Sequence, residues 1–421
     1  MNLEYALNNP IKSWIYAERF VNEGSPSGYS QVNQVSLPAH PVFGQPFFQV
    51  GCFECSMANV HYLVSKGAHE KEPPYPLKTG YIPIHPDMVT HESTKSLGLS
   101  NPPKDLLTCI PSSSGRTVFV WSPDNEEPLY FLKLHYGNLL GRFNRTLDRR
   151  RIISALKINS DLVESQEYFP SGIAFLPEVG AFLAQNNLVK TSEVGALIRS
   201  LHPFPYSIKN EVFIPFFALF SKDIKRSQEP ILLEQVLRWT SDPYQTFLER
   251  LIEPLLQGFC FLALHLGLIP EWNAQNLLLG MTSEGHITRI VFRDLQGTYR
   301  DLAYRASFLP EVDEDEYKIL PCKTSQHCFE ARRQRSYLFD FKLCQYVLEP
   351  LANLTAKILG LSKYNLEQKI VEITMKEFSK YCDYDTYFPE GNVWYGQSSG
   401  ISEKNSNFFS KRLNPTFRLY K

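Results

Sequence analysis

The sequence predicts an α+β protein: a β-containing lobe followed by a mainly helical one. Three observations predict it. From Leu106 to Tyr136, the short apolar or alternating runs TCIPSSSGRTVFVW and LYFLKLHY flank SPDNEEP, whose proline, aspartate and asparagine make a turn, as in a β-hairpin. From Asp242, the stretch DPYQTFLERLIEPLLQGFCFLALHLGLI carries apolar residues at helical spacing. Within that helical half two apolar runs read as buried strands. EWNAQN precedes the leucines of the first, and Asp294 of FRDLQG, eighteen residues after Asn276, closes the second.

The elements follow in order. Residues 1 to about 90 are rich in proline, glycine and aromatic side chains, with loop clusters at NEGSPSGYSQ and HEKEPPYPLKTG. After the hairpin, NRTLDRRRIISALKINSDLVESQ has helical spacing through Leu147, Ile152, Ile153, Leu156 and Ile158, which puts Arg145 at the start of a helix. VGALIRSLHP reads as a further strand. Pro254 either kinks the long helical stretch or begins a new helix. EWNAQNLLLG, the turn TSEGH and the strand ITRIVFRDLQG come next, and FDFKLCQYVLEPLANLTAKILGL adds a helical block. The chain divides into an N-terminal region over 1–90, a β-containing lobe over 91–205 and a helical lobe over 206–421, with a cleft between lobes as the default site.

Composition narrows the function. With 421 residues, 43% hydrophobic and 21% charged, the chain is long enough for two or three well-buried cores. A formal net charge of −1 gives no basic excess for nucleic acid or a membrane surface, so any phosphate recognition must be local. GFCFLALHLGLIP is shorter than the roughly 20 residues a membrane helix needs, and MNLEYALNNPIKSW, with Glu4, lacks an apolar signal core; a cytoplasmic location is expected. Eight cysteines do not make a dense disulfide framework. Cys52 and Cys55, in CFEC, could be half of a zinc site or a redox pair, but Cys322, His327 and Cys328 complete it poorly, and buried small hydrophobes are the simpler reading.

The chemistry concentrates in two places. Ser112 to Thr117, SSSGRT, offers hydroxyls, a glycine and a guanidinium just before a strand, a set suited to phosphate or carboxylate oxygens. Lys133, between Leu132 and Leu134, is either an outward-facing lysine or a cation aimed at nucleotide phosphates. With Arg116 and Arg145 it would make a polyanion site. Glu271, Asn276 and Asp294 are hard oxygen ligands of the kind magnesium accepts. An acidic residue five positions before an asparagine, with a hairpin leading to an aspartate, echoes the protein-kinase plan for ATP and magnesium. Against it stands the plainer reading of Asn273, Gln275 and Asn276 as turn formers.

In order along the chain, these stretches resemble the NRPS-independent siderophore synthetases of the aerobactin-synthetase type. LIPEWNAQNLLLG resembles the family's Glu-Ala-His-x-Gln-Asn followed by leucines, and VFRDLQG its Arg-Asp-x-x-Gly. SSGRT is similar to its Ser-x-Arg-Thr strand entry, and Lys133 to Arg145 reproduces its lysine-to-arginine spacing of twelve. YIPIHP resembles a Pro-x-His-Pro segment, and FSKRLNP the closing basic-leucine-NP segment. The resemblance runs from about Tyr81 to the end. It implies a cupped-hand fold with β-containing fingers, a mainly helical palm and a reduced N-terminal thumb. It also implies ATP- and Mg2+-dependent adenylation of a (poly)carboxylic acid, followed by condensation with an amine, hydroxylamine or alcohol, in siderophore or related biosynthesis. A homodimer is compatible with it.

Residue by residue, the resemblance implies catalytic roles for Lys133, Arg145, Arg116 and Asn273. ATP would lie against Ser114, Arg116, Thr117, Lys133, Gln275, Asn276 and Asp294, and metal against Glu271, Asn276 and Asp294. The carboxylate substrate would meet Arg145, Asn273, Arg199 and Arg335, the last in the arginine group of EARRQRSY with Arg332 and Arg333, which reads equally as a solvated helix face. Two departures stand out. Asn273 replaces the family's palm histidine, and the N-terminal region is short: AHPVFG, with His40, is a remnant of the thumb motif, and HESTKSLG, with His91 and Lys95, is out of order. A kinase-like small-molecule phosphotransferase and a degenerate ATP-binding protein are the alternatives; the first lacks a His-x-Asp base and a glycine-rich loop.

Overall fold

A computed structural model describes residues 1–23, 35–65, 72–122, 124, 127–140, 143–186, 193–205, 208–313, 316–320, 329–382, 384–389 and 415–418. The β-containing lobe is built on an eight-stranded antiparallel sheet. Its spatial order is Ala58–Val64, Glu178–Asn186, Glu193–Arg199, Pro128–Leu134, Thr117–Trp121, Asp105–Pro111, Phe48–Phe53 and Ile82–Ile84. The hairpin read around SPDNEEP is its centre, and VGALIRSLHP contributes the neighbouring strand Glu193–Arg199. The stretch TCIPSSSGRTVFVW is itself a hairpin, because Ser112 to Arg116 turn the chain between Asp105–Pro111 and Thr117–Trp121.

One face of this sheet is covered by the helix Arg149–Glu164, whose Ile152, Ala155 and Leu156 pack on Ala181, Leu183 and Leu197. The helix begins at Arg149 because Asp148 caps it, accepting from Arg151 N at 2.9 Å. Arg145 is therefore not at a helix start, as the spacing suggested: it lies in the strand Phe143–Arg145, opposite Tyr136.

The helical lobe holds a second, four-stranded sheet in the order Ile173–Phe175, Ile287–Phe292, Leu277–Met281 and Val212–Pro215. Leu277–Met281 is buried throughout, as its continuous apolar run predicts. Against it packs the long helical stretch from Pro243 to His265. Pro254 lies in the first turn of the α-helical segment Glu253–Cys260, which continues the preceding turn without a break and so is not a separate helix. A π-helical turn over Phe247–Ile252 precedes it, and the wider turn accommodates a residue that cannot donate to the previous turn. No helix among the described residues is long and apolar enough to cross a membrane.

The described part of residues 1–90 divides between the two lobes. Phe48–Phe53, Ala58–Val64 and Ile82–Ile84 join the large sheet. Leu3–Asn8 and Pro10–Phe20 are helices whose Leu3, Ala6, Leu7 and Ala17 enter the helical core. Trp14 fills the seam between lobes, 5.9 Å from the Phe119 ring, 5.3 Å from Phe131 and 5.1 Å from Phe213. Leu278 and Val291 complete that seam.

Candidate nucleotide site

Strand alternation brings the site together. Lys133 lies opposite Thr117 on one side and Leu197 on the other, and Phe131 lies opposite Phe119 and Arg199. Residues two apart share a face, so Thr117, Phe119, Phe131, Lys133 and Arg199 all point the same way. Phe119 and Phe131 press that face onto the hairpin of the helical lobe through Leu278 and Val291. Lys133 is thereby carried to the turn after the hairpin, where its ammonium is ion-paired with Asp294 and donates to Gln296 Oε1 at 2.9 Å. Of the two readings of Lys133, the structure takes the inward one: 3% of the residue is exposed.

Two guanidiniums join it. Arg199 Nη2 lies 2.7 Å from Glu178 Oε1 and 3.9 Å from Asp294 Oδ1, and its buried Nε has no hydrogen-bond partner among the described residues. Arg116, also buried, donates to the backbone carbonyls of Arg145 and Leu134. Burial, which outweighs the pull of Asp294, lowers Lys133 to about 8 and Arg116 to about 9. Burial alone would raise Asp294, but Lys133, Arg199 and Arg116 hold it well below the usual carboxylate range. Its backbone is left-handed, φ 73° and ψ 63°, a conformation that costs a non-glycine residue energy and gathers at functional turns.

Two loops flank this centre. In the serine loop, Ser112 Oγ donates to Thr117 O at 2.6 Å and Ser114 Oγ accepts from Thr117 N at 2.9 Å, while Gly115 takes φ +73°. In the amide loop, Asn273 Oδ1 accepts from Gln275 N at 2.9 Å and Asn276 N at 3.1 Å, and Asn276 Nδ2 donates to Glu271 O at 3.0 Å. The turn-forming role weighed for these amides is thus real. The same bonds fix where they sit, since Arg293 Nε donates to Gln275 O at 2.9 Å and ties the loop to the Asp294 turn.

Glu271 lies beside the Asp294 turn, against Gly297, and is already engaged by two lysines. Lys342 Nζ lies 2.6 Å from its Oε1 and Lys318 Nζ 3.7 Å from its Oε2. Burial would raise its carboxyl, but these two lysines prevail and lower it. Arg335 departs further. It is fully buried, not at a rim: Asp301 accepts from its Nε at 2.6 Å and its Nη2 at 3.1 Å, and Tyr304 and Tyr387 stack on it, each ring 4.9 Å away. Arg332 donates to Phe388 O at 2.7 Å. Arg335 and Arg332 are held by protein groups because their helix, Phe329–Ser336, turns them toward Asp301 and Phe388. Arg145 is exposed, its carbonyl accepts from Arg116, and its charge lies close enough to lower the Arg116 guanidinium further.

Glu178, Gln296, Arg293, Lys318 and Lys342 are residues around the candidate site that sequence reasoning missed. Gln296 had a signal, two positions after Asp294 in FRDLQG. Cys52 and Cys55 are free thiols, burial raising them to about 12 and about 11, which suits packing rather than zinc. Among the described residues no group of three His, Cys, Asp or Glu side chains is placed to hold a metal. Cys322, His327 and Cys328 and most of FSKRLNP lie outside the described residues. His40 of AHPVFG and His91 of HESTKSLG fix local turns: His40 Nδ1 accepts from Val42 N and Phe43 N, each at 3.1 Å, and His91 Nδ1 from Ser93 N at 3.1 Å.

A large antiparallel sheet seated on a helical lobe that carries this turn is the siderophore-synthetase fold. The chain is similar to the petrobactin biosynthesis protein AsbB from Bacillus anthracis str. Sterne, with a TM-score of 0.64 at 16% identity over 89% of this chain and 69% of that one. It is similar to ATP-bound aerobactin synthetase IucA from a hypervirulent pathotype of Klebsiella pneumoniae, at TM-score 0.63 and 14% identity over 91% and 74%. For aerobactin synthetase IucC from the same pathotype the values are 0.60 and 14%, over 79% and 63%. At these identities the likeness is one of fold. No protein-family model matches the chain, and no curated protein matches it in sequence.

Proposed function

We propose that the protein is an ATP-dependent ligase that activates a (poly)carboxylic acid and joins it to an amine, hydroxylamine or alcohol, in siderophore or related metabolite biosynthesis. One observation carries this reading: in a chain of net charge −1, three buried cations, Lys133, Arg116 and Arg199, meet two carboxylates among the described residues, Asp294 and Glu178, at the junction of the lobes. A buried cation surplus calls for an anion. A polyphosphate with a carboxylate beside it answers that call, and an ATP-bound structural neighbour supports the choice.

The residues present fit nucleotide and metal as follows. Lys133 and Arg116 would hold phosphate oxygens with Ser114 and Thr117 beside them, and Arg199 would hold either a phosphate or the substrate carboxylate. Asp294, its carboxylate 31% exposed, and the amide oxygen of Asn276, whose Nδ2 is already engaged, supply hard oxygens for Mg2+. Bound Mg2+ would neutralise phosphate charge; Glu271, engaged by two lysines, is the weakest of the three candidate ligands. When the acid's carboxylate attacks the α-phosphorus and pyrophosphate leaves, Lys133 and Arg116 stabilise the charge that builds on the phosphoryl oxygens. When the nucleophile then displaces AMP, the same cations hold the leaving phosphate.

The test is the identity of the nucleotide product with di- and tricarboxylic acids and amines. AMP and pyrophosphate support the ligase. ADP would replace it with a phosphotransferase, and ATP binding without turnover with a degenerate binder.

A further inference from the structure

Glu18, on the helix Pro10–Phe20, is fully buried in the seam between lobes. Its Oε2 accepts from Ser113 N at 3.2 Å and Ser113 Oγ at 2.5 Å, and its Oε1 lies 2.6 Å from Arg293 Nη1. Arg293 in turn donates its Nε to Gln275 O at 2.9 Å and its backbone N–H to Asn276 O at 2.9 Å, and it directly precedes Asp294. One carboxylate therefore ties the serine loop to the amide loop and the aspartate turn. Its helix is itself fixed, since Trp14 is packed among Phe119, Phe131 and Phe213.

We propose that Glu18 is a positioning residue for the nucleotide site, setting the span between Ser114 and Thr117 on one lobe and Gln275, Asn276 and Asp294 on the other. Its charge matters as much as its reach. Without it Arg293 would be a buried guanidinium lacking its carboxylate, one residue from Asp294. The ligand named here rests on the nucleotide reading above; the tie between loops does not.

The test uses the full chain with MgATP as probe and reads calorimetric affinity together with amide exchange over residues 112–117 and 271–276. Glu18→Gln keeps the shape and an acceptor for Ser113 but removes the charge. It is expected to weaken MgATP binding about tenfold and to speed exchange in both loops. Glu211→Gln is the control, an equally buried carboxylate whose partners are Thr288 and Arg289. It is expected to lower the melting temperature while affinity stays within about twofold. A folded Glu18→Gln with wild-type affinity and exchange overturns the proposal, as does an equal affinity loss in both variants. If Glu18→Gln fails to fold, Ser113→Ala decides: slower loop exchange or unchanged affinity and exchange overturns the proposal, and a smaller change in the direction expected of Glu18→Gln sustains it. If the wild type does not bind MgATP, the nucleotide reading falls, and exchange alone decides whether Glu18 ties the loops.

Discussion

Two buried cation–carboxylate pairs in this molecule share their chemistry and differ in what they are for. Arg335 and Asp301 match one to one, both at most 1% exposed, with two hydrogen bonds and two tyrosine rings closing the rest of the guanidinium. Lys133 and Asp294 sit in a cluster with more cations than carboxylates, on a left-handed turn, with the carboxylate partly open to solvent. A satisfied pair is a fastener. A surplus of charge beside an opening is what the proposed binding site would need, and imbalance rather than burial marks it.

Substitutions can break that contrast. Arg335→Met should cost about 3–5 kcal/mol of stability by leaving Asp301 buried and unpaired, read by denaturant unfolding, with MgATP affinity unchanged; the reverse pattern would move Arg335 into the site. Lys133→Met should do the opposite, lowering turnover about 10²–10³-fold while stability shifts by about 1 kcal/mol or less, because Asp294 keeps Arg199 nearby. Wild-type kinetics in that variant would undo the assignment. Asp294→Asn should weaken the dependence on magnesium, and activity indifferent to divalent metal in the parent would remove the metal role.

A pH series sharpens the comparison. Burial lowers Lys133 to about 8 in the folded chain, against the ordinary lysine value of 10.5 when unfolded, so between those values the unfolded chain binds more protons. Stability contributed by this group therefore rises with pH through that window, as the buried cation is discharged, and is lowest below it. The difference between wild type and Lys133→Met should show that rise, while MgATP affinity falls above about pH 8 as the charge is lost. A flat difference curve would mean that Lys133 is not buried as a cation.

The smallest effect concerns Asn273→His. His40 and His91 already show an imidazole Nδ1 accepting from backbone N–H groups two residues on, the bond that Asn273 Oδ1 makes to Gln275 N. The imidazole should therefore keep the loop, with stability within about 1 kcal/mol, and add an ionisation near neutrality to the pH–rate profile. Collapse of the loop, seen as lost MgATP binding, would show that the carboxamide is required for shape.

Much of this was legible in the sequence, and for definite reasons. The runs LYFLKLHY and ALIRSLHP were legible as strands and Asp294 as the close of an apolar run. Lys133 was grouped with Arg116 and Arg145, whereas Arg199 was expected only against the carboxylate substrate. Lys133, Arg116, Arg199 and Asp294 do converge. Glu18 was beyond reach because its partners lie 95 residues away at Ser113 and on the far lobe at Arg293. Lys318 and Lys342 were hidden likewise, and neither spacing nor composition reports their meeting on Glu271. Arg335 misled because a run of arginines carries no mark of which one turns inward.

The aromatic seam constrains how such a protein can work. Trp14, Phe119, Phe131, Phe213, Leu278 and Val291 interlock directly beside the charged cluster, and dry, close-packed contacts of this kind do not part at little cost. On the proposed reading, ligands would enter and leave along the open side of Asp294 rather than through a gape between lobes. Exchange of small molecules would be governed by side-chain rearrangement, above all by Lys133 releasing Asp294, and a covalent cross-link over the seam should leave the rate of product departure untouched.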